Sequence, residues 1–258
     1  MEKGLPLSLK ANRRKETELE GVPTGHRKPG LVVLKNLGEP LILYLLLFAS
    51  GLVSQGTYPE VISFSLRHAC IRLFAYTIPS LGLIWYLIYR HPPRLEGSWI
   101  TAILTPRIHD LAGLGMALLG LGGIGFGIAQ AGPLLQGLLA PYITIPPGPR
   151  LETPQRLPAW LVILGSCLGT GYLEESYFRL YLLLRLEKAG IGIRKGVFLS
   201  CLLFSLCHRY EGPWGVLQAA LAGIVLSLVL IRYRSFHGIA LAHGAYNGLV
   251  YLIAHVGP

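Results

Sequence analysis

The chain has 258 residues, of which 52% are hydrophobic and only 14% charged, with a formal net charge of +10. Soluble domains usually carry about 25% charged residues, so this composition excludes an ordinary soluble domain and indicates a membrane protein. The basic residues lie mainly in an N-terminal tail and in short connections between apolar segments. We therefore attribute the positive charge to membrane topology and expect no nucleic-acid partner.

The first 37 residues hold eight Lys or Arg and four Glu. They contain no compact apolar segment followed by a small-residue cleavage site, which argues against a cleaved signal peptide. We predict that residues 1–37 form a flexible, basic, cytoplasmic tail, and that residues 38–258 form the transmembrane domain.

Seven apolar runs follow the tail, and a run of about 20 residues is long enough to span a bilayer as a helix. Six prolines between residues 131 and 157 predict a loop there, with a short interfacial segment. The fold class expected is all-α, a polytopic membrane bundle of about seven transmembrane helices around a polar cavity. The runs are approximately 38–56, 70–89, 111–130, 158–186, 196–209, 214–231 and 236–256.

Basic residues are concentrated in alternate connections, which places those connections and the N-terminus in the cytoplasm and the C-terminus outside. Arg67 and Arg72 do not fit this pattern, because they lie near the second run. A bacterial inner membrane is favoured over the endoplasmic reticulum, and the lipid bilayer is the expected environment.

The third run is rich in glycine, which predicts close helix packing in lipid. Gly120, Gly122 and Gly125 also spell GxGxxG. A dinucleotide-binding fingerprint requires a preceding strand within a βαβ unit, and none is predicted, so we reject that reading.

Three polar groups interrupt the apolar runs of the C-terminal half. On a helix, Glu175 and Arg179 are four residues apart and can pair, whereas Glu174 is turned about 100° away. The first group therefore leaves one carboxylate available. Ionisable groups inside a membrane usually face a partner or a watery cavity, so a functional site is the default interpretation.

The other two groups have the same four-residue spacing. Phe204 and His208 share one helical face, as do His243 and Asn247. Any one group has a structural explanation, such as a buried ion pair or an interhelical hydrogen bond. Together they contain a carboxylate and an imidazole to deprotonate water and donors to stabilise an oxyanion, as a hydrolytic site requires.

These three motifs, EExxxR, FxxxH and HxxxN, resemble the signature of the CPBP family, which comprises CAAX proteases and bacteriocin-processing enzymes also called Abi proteins. The resemblance covers about residues 155–250. It implies an intramembrane endopeptidase that hydrolyses a peptide bond in a membrane-associated peptide or protein. The resemblance includes prenylated CAAX proteins, which are cut behind a lipidated cysteine, among the substrates to consider.

Carried over by motif, the resemblance implies that Glu174 and His208 activate the attacking water. His243 and Asn247 would hold the oxyanion, while Glu175 and Arg179 would support Glu174. Phe204 is the aromatic neighbour of His208.

A metal-dependent mechanism is the alternative. Glu174, His208 and His243 are the residues that would supply three zinc ligands beside an open position. No HExxH string is present and the histidines lie on different predicted helices. We favour a glutamate-activated water without a cofactor.

Two other functions compete with proteolysis. One is a non-proteolytic scaffold or bacteriocin-immunity factor with the same fold. The other is a small transporter, because buried carboxylates and histidines also build proton relays. No inverted repeat is visible between the halves of the chain, which argues against the transporter.

Overall fold

A computed structural model describes residues 29–53, 61–90, 105–139 and 150–257. The described residues form seven helices and two very short strands, which confirms the all-α polytopic bundle. The helices are α1 (Pro29–Leu52), α2 (Leu66–Arg90), α3 (His109–Leu139), α4 (Leu157–Lys188), α5 (Ile193–Leu206), α6 (Gly212–Tyr233) and α7 (Phe236–Val256).

Five of these helices, α2, α3, α4, α6 and α7, are long and apolar enough to cross a membrane. The apolar part of α1, Leu37–Leu52, is shorter, and α5 has 14 residues. At about 1.5 Å per residue α5 is near 21 Å long, less than the roughly 30 Å of hydrocarbon in a bilayer. The chain is an integral membrane protein in which these two shorter helices complete the bundle.

Two boundaries predicted from the sequence differ from those in the structure. Residues 1–28 of the predicted tail lie outside the described residues, but α1 begins at Pro29, inside that tail. The loop predicted from residue 131 is wrong for its first part, because α3 continues through Pro133 to Leu139. Proline is tolerated in membrane helices where neighbouring groups satisfy the freed carbonyl. Residues 140–149, the middle of the predicted loop, lie outside the described residues.

The two strands, β1 (Val61–Ile62) and β2 (Arg150–Leu151), pair in parallel. They join the segment before α2 to the segment before α4. The Glu152 carboxylate extends this junction by accepting a 2.9 Å hydrogen bond from the backbone N–H of Phe64. Two segments that the sequence shows only as connections are thus held together at one end of the bundle.

Helices α2 and α4 each contain one stretch of π-helix, Arg72–Thr77 in α2 and Ser176–Tyr181 in α4. The second stretch starts directly after Glu175. Such wide turns are rare and occur frequently at functional sites.

An aromatic cluster fills the space between α1, α4 and α5. Its rings are Tyr44, Phe48, Tyr177, Phe178 and Phe204, with neighbouring centroids 4.9 to 6.3 Å apart. Edge-to-face and offset contacts of this kind add to the stabilisation from burial. The cluster fixes the first motif, on α4, against the second, on α5.

Glycine sets the distance between α4 and α7, which pack along one another. A Cβ atom at Gly171 would lie 2.6 Å from the backbone nitrogen of Gly244 and 2.7 Å from the carbonyl oxygen of Ala240. Small residues of this kind let helix backbones approach closely in lipid. The first motif, on α4, and the third, on α7, are thereby brought together.

The glycine-rich third run has a similar role on α3. A Cβ at Gly120 would meet Val225 of α6, and one at Gly125 would meet Tyr246 of α7. Gly122 has open space around it. The predicted close packing is therefore confirmed at Gly120 and Gly125 and not at Gly122.

Candidate active site

A buried network joins the first and third motifs. Glu175 and Arg179 are fully buried, with 3.1 Å between Glu175 Oε2 and Arg179 Nε, which confirms the predicted pair. The other carboxylate oxygen, Oε1, lies 2.8 Å from His243 Nδ1. A carboxylate only accepts hydrogen bonds, so Nδ1 is the donor. Glu175 thus connects α4 to α7.

Arg179 has an unusual environment for a buried guanidinium. Its central carbon lies 4.4 Å from the centroid of the Phe204 ring, a cation–π contact. Its Nη1 and Nη2 atoms make no hydrogen bond to the described residues. Within the described residues, the Arg179 charge is balanced by Glu175 and by the rings of Phe204 and, at 5.8 Å, Phe178. The contact with Phe204 ties the first motif to the second.

Glu174 differs from its neighbour. Its side chain is 12% exposed, and its Oε2 atom makes no hydrogen bond within the described part of the chain. The nearest partner is the imidazole of His243, whose Nε2 lies 3.6 Å from that oxygen, longer than a hydrogen bond. Glu174 is the available carboxylate of the motif.

His208 lies in the turn just after α5, and the last turn of that helix holds its ring in one orientation. Its Nδ1 atom lies 2.7 Å from the carbonyl oxygen of Phe204. Because a carbonyl only accepts, Nδ1 carries the proton, and in the neutral ring Nε2 then has a free lone pair. The ring packs against Phe204 at 4.6 Å and stacks on Tyr210 at 6.1 Å. A fixed tautomer with an accepting nitrogen suits a base.

Two cavities meet at Glu174 and His208. The smaller, of about 400 Å³, opens toward Leu47 and Gly51 of α1. The larger, of about 650 Å³, extends toward Asn247. Five residues line both cavities: Arg72, Thr170, Glu174, His208 and Tyr210.

The predicted site residues therefore fall into two sets. Glu174, His208 and Asn247 line a cavity. Glu175, Arg179 and Phe204 are fully or almost fully buried behind them. His243 stands between the sets, since it is 7% exposed and its ring lies between the two glutamates.

The arrangement does not assemble the three proposed zinc ligands. No group of three His, Cys, Asp or Glu placed to hold one metal ion occurs among the described residues. Both ring nitrogens of His243 face carboxylate oxygens, and His208 Nδ1 is occupied by a backbone carbonyl.

Three of the five residues that line both cavities were not predicted as site residues from the sequence. Thr170 lies four positions before Glu174, so helical spacing would have placed both on one face. Tyr210 follows His208 by two residues in a short 3₁₀ turn, and no sequence signal marks it. The sequence marked Arg72 only as an arginine that does not fit the predicted membrane topology.

Residues 156–249 match the family model described as type II CAAX prenyl endopeptidase Rce1-like. The match includes all three motifs and covers over a third of the chain. No curated protein and no solved structure matches the chain. The matched segment supplies α4, α5, α6 and most of α7, and it contains Glu174, His208, His243 and Asn247. Over this segment, which carries all three motifs, the chain is similar to the type II CAAX prenyl endopeptidases.

Proposed function

We propose that the protein is an intramembrane endopeptidase that cleaves a membrane-associated, prenylated peptide or protein near its C-terminus. The observation that carries the proposal is the meeting of two cavities at Glu174 and His208. A peptide that occupies both cavities passes these two side chains. The family match supports the prenylated substrate class.

In the proposed mechanism, Glu174 accepts a proton from a water molecule that also hydrogen-bonds to His208 Nε2. Both groups have the free acceptor capacity that this step requires. The activated water attacks the scissile carbonyl, and the proton is passed on to the leaving amine. Glu174 then serves as base and as acid in one cycle.

We assign stabilisation of the oxyanion to the side-chain amide of Asn247 and to His243. Asn247 lines the larger cavity. His243 Nδ1 already donates to Glu175, so Nε2 can donate to an oxyanion only when the ring is protonated. Glu174 and Glu175 supply the opposite charge on either side of that ring. Loss of one such donor typically lowers kcat by about 10²- to 10³-fold.

Cleavage of a defined peptide tests the proposed function. We expect the purified protein, reconstituted in lipid vesicles, to cut a farnesylated peptide behind the modified cysteine, because the prenyl chain brings the peptide to the membrane. Mass spectrometry of the products identifies the bond. The same peptide without the farnesyl group is the matched control and should be cleaved more slowly.

If neither peptide is cut although both contact the protein, the scaffold function gains support. Faster cleavage of the unmodified peptide would contradict the prenylated substrate class, but the protein would still be a peptidase.

We also propose that the reaction needs no metal ion. Activity is expected to persist after dialysis against a strong chelator, because the proton transfers are assigned to Glu174 and His208. Peptide cleavage and metal content are measured on the same preparation. Loss of cleavage that is restored by zinc, with stoichiometric metal in the active protein, would reverse this assignment and favour Glu174, His208 and His243 as ligands.

A further inference from the structure

Arg72 is an arginine within a helix long and apolar enough to span a membrane, and its side chain has no ion-pair partner among the described residues. It lies in α2, and its side chain is exposed and lines both cavities. That side chain forms no ion pair or hydrogen bond with any described residue. A charged group in a membrane span is costly and usually faces a partner or a watery cavity. The partner of Arg72 is therefore to be sought among the molecules that enter the cavity.

The packing of α2 on α4 holds Arg72 beside the catalytic face. A Cβ atom at Gly169 would lie 3.0 Å from Thr77 and 3.3 Å from Leu73, and one at Gly165 would lie 3.5 Å from Leu73. The side chain of Leu73, the residue that follows Arg72, thus packs against the glycine positions of α4. The next positions on α4, Thr170 and Glu174, line the same cavities as Arg72.

Arg72 is also the sole lysine or arginine among the residues that line the two cavities in the described chain. The larger cavity is also lined by two imidazoles and three carboxylates, which belong to His68, His208, Glu152, Glu174 and Glu211. Glu152 is engaged at the strand junction by Phe64. An anionic group that enters this space finds one permanently charged donor, and it is Arg72.

We propose that Arg72 binds the free C-terminal carboxylate of the peptide substrate and so selects peptides that are cut close to their C-terminus. This inference rests on the proposed function. A guanidinium pairs with a carboxylate through two parallel, charge-assisted hydrogen bonds, which give direction as well as affinity. Because an extended peptide spans at most about 3.3–3.6 Å per residue, a fixed carboxylate also fixes which bond reaches Glu174.

A pair of peptides that differ only at the C-terminus tests this role. We expect the native protein to cleave a farnesylated peptide with a free carboxylate with a kcat/KM about 10- to 100-fold above that of its C-terminal amide. Arg72→Gln should bring this ratio close to one. Arg72→Lys should restore part of it, because an ammonium keeps the charge but not the paired geometry.

Arg67→Gln is the matched control, because Arg67 is an exposed arginine on the same helix that does not line either cavity. It should keep the full acid-to-amide ratio. An equal loss on both peptides in Arg72→Gln would overturn the proposal and make Arg72 a structural residue. If Arg72→Gln loses the same activity on both peptides, and only in vesicles that contain anionic lipid, the proposal is overturned and Arg72 binds a lipid headgroup instead.

Binding separates this inference from the proposed function. In the Glu174→Gln protein, fluorescence anisotropy should show tighter binding of the acid peptide than of the amide, and the added Arg72→Gln change should remove the difference. If binding of the acid peptide is tighter than that of the amide and depends on Arg72, but the native protein cleaves neither peptide, the carboxylate site is supported and the peptidase function is contradicted. Cleavage without discrimination would contradict the carboxylate site alone.

Discussion

Glu174→Gln is expected to lower kcat for peptide cleavage by about 10²- to 10⁴-fold, the usual contribution of a general base. The amide has the size of the carboxylate but cannot take the proton from water. Its effect on KM should be small, because Glu174 Oε2 makes no hydrogen bond to the described residues that the change would break. Steady-state kinetics on the farnesylated peptide in vesicles measures both constants.

Glu187→Gln is the matched control for this variant. Glu187 lies on the same helix, α4, but is exposed and lines neither cavity. It should leave kcat within twofold or so of the native value, as surface substitutions usually do little. Equal activity of Glu174→Gln and Glu187→Gln, with both proteins folded, would show that Glu174 is not the base.

Arg179→Gln is expected to lower the free energy of unfolding by about 3–5 kcal/mol, because removal of one partner leaves the other charge of a buried pair uncompensated. Glu175 is fully buried, and among the described residues it would keep only the His243 imidazole as a hydrogen-bond donor. The stacking of the guanidinium on Phe204 is lost as well. Chemical denaturation in detergent, followed by tryptophan fluorescence, measures the change.

The Arg185–Glu39 pair provides the comparison within the same molecule. It joins α4 to α1 at 2.7 Å, but Glu39 is 44% exposed, so solvent screens the interaction. Arg185→Gln should cost less than about 1 kcal/mol. The double change Glu175→Gln with Arg179→Met should recover part of the lost stability, because no unpaired charge remains. Equal costs for Arg179→Gln and Arg185→Gln would contradict the buried-pair interpretation.

The helices and the first motif were largely predictable because they depend on local spacing. Apolar runs longer than a bilayer crossing show the spans, and the four-residue interval predicts the contact of Glu175 with Arg179. Within α3 the prediction was wrong after residue 130. Proline in a membrane helix is stabilised by its surroundings, and a single sequence does not display them.

The connection between motifs was beyond sequence reasoning. Glu175 and His243 are 68 residues apart, and no local pattern states that one carboxylate bonds to both Arg179 and His243. The same holds for Arg72, which lies outside the matched segment 156–249 yet lines both cavities. Only the packing of α2 and α7 on α4 brings these side chains together.

The contact between Gly171 and Gly244 determines how precisely the His243 imidazole is positioned relative to the carboxylates of Glu174 and Glu175. Gly171 lies one helical turn before Glu175, and Gly244 directly follows His243, so the separation of those side chains is set by backbone touching backbone. Backbone atoms cannot change rotamer, unlike a leucine or methionine spacer. A methyl group at either glycine would wedge the helices apart and shift His243 away from both carboxylates. The distance across the site is therefore a rigid dimension of the bundle, defined by the absence of two side chains.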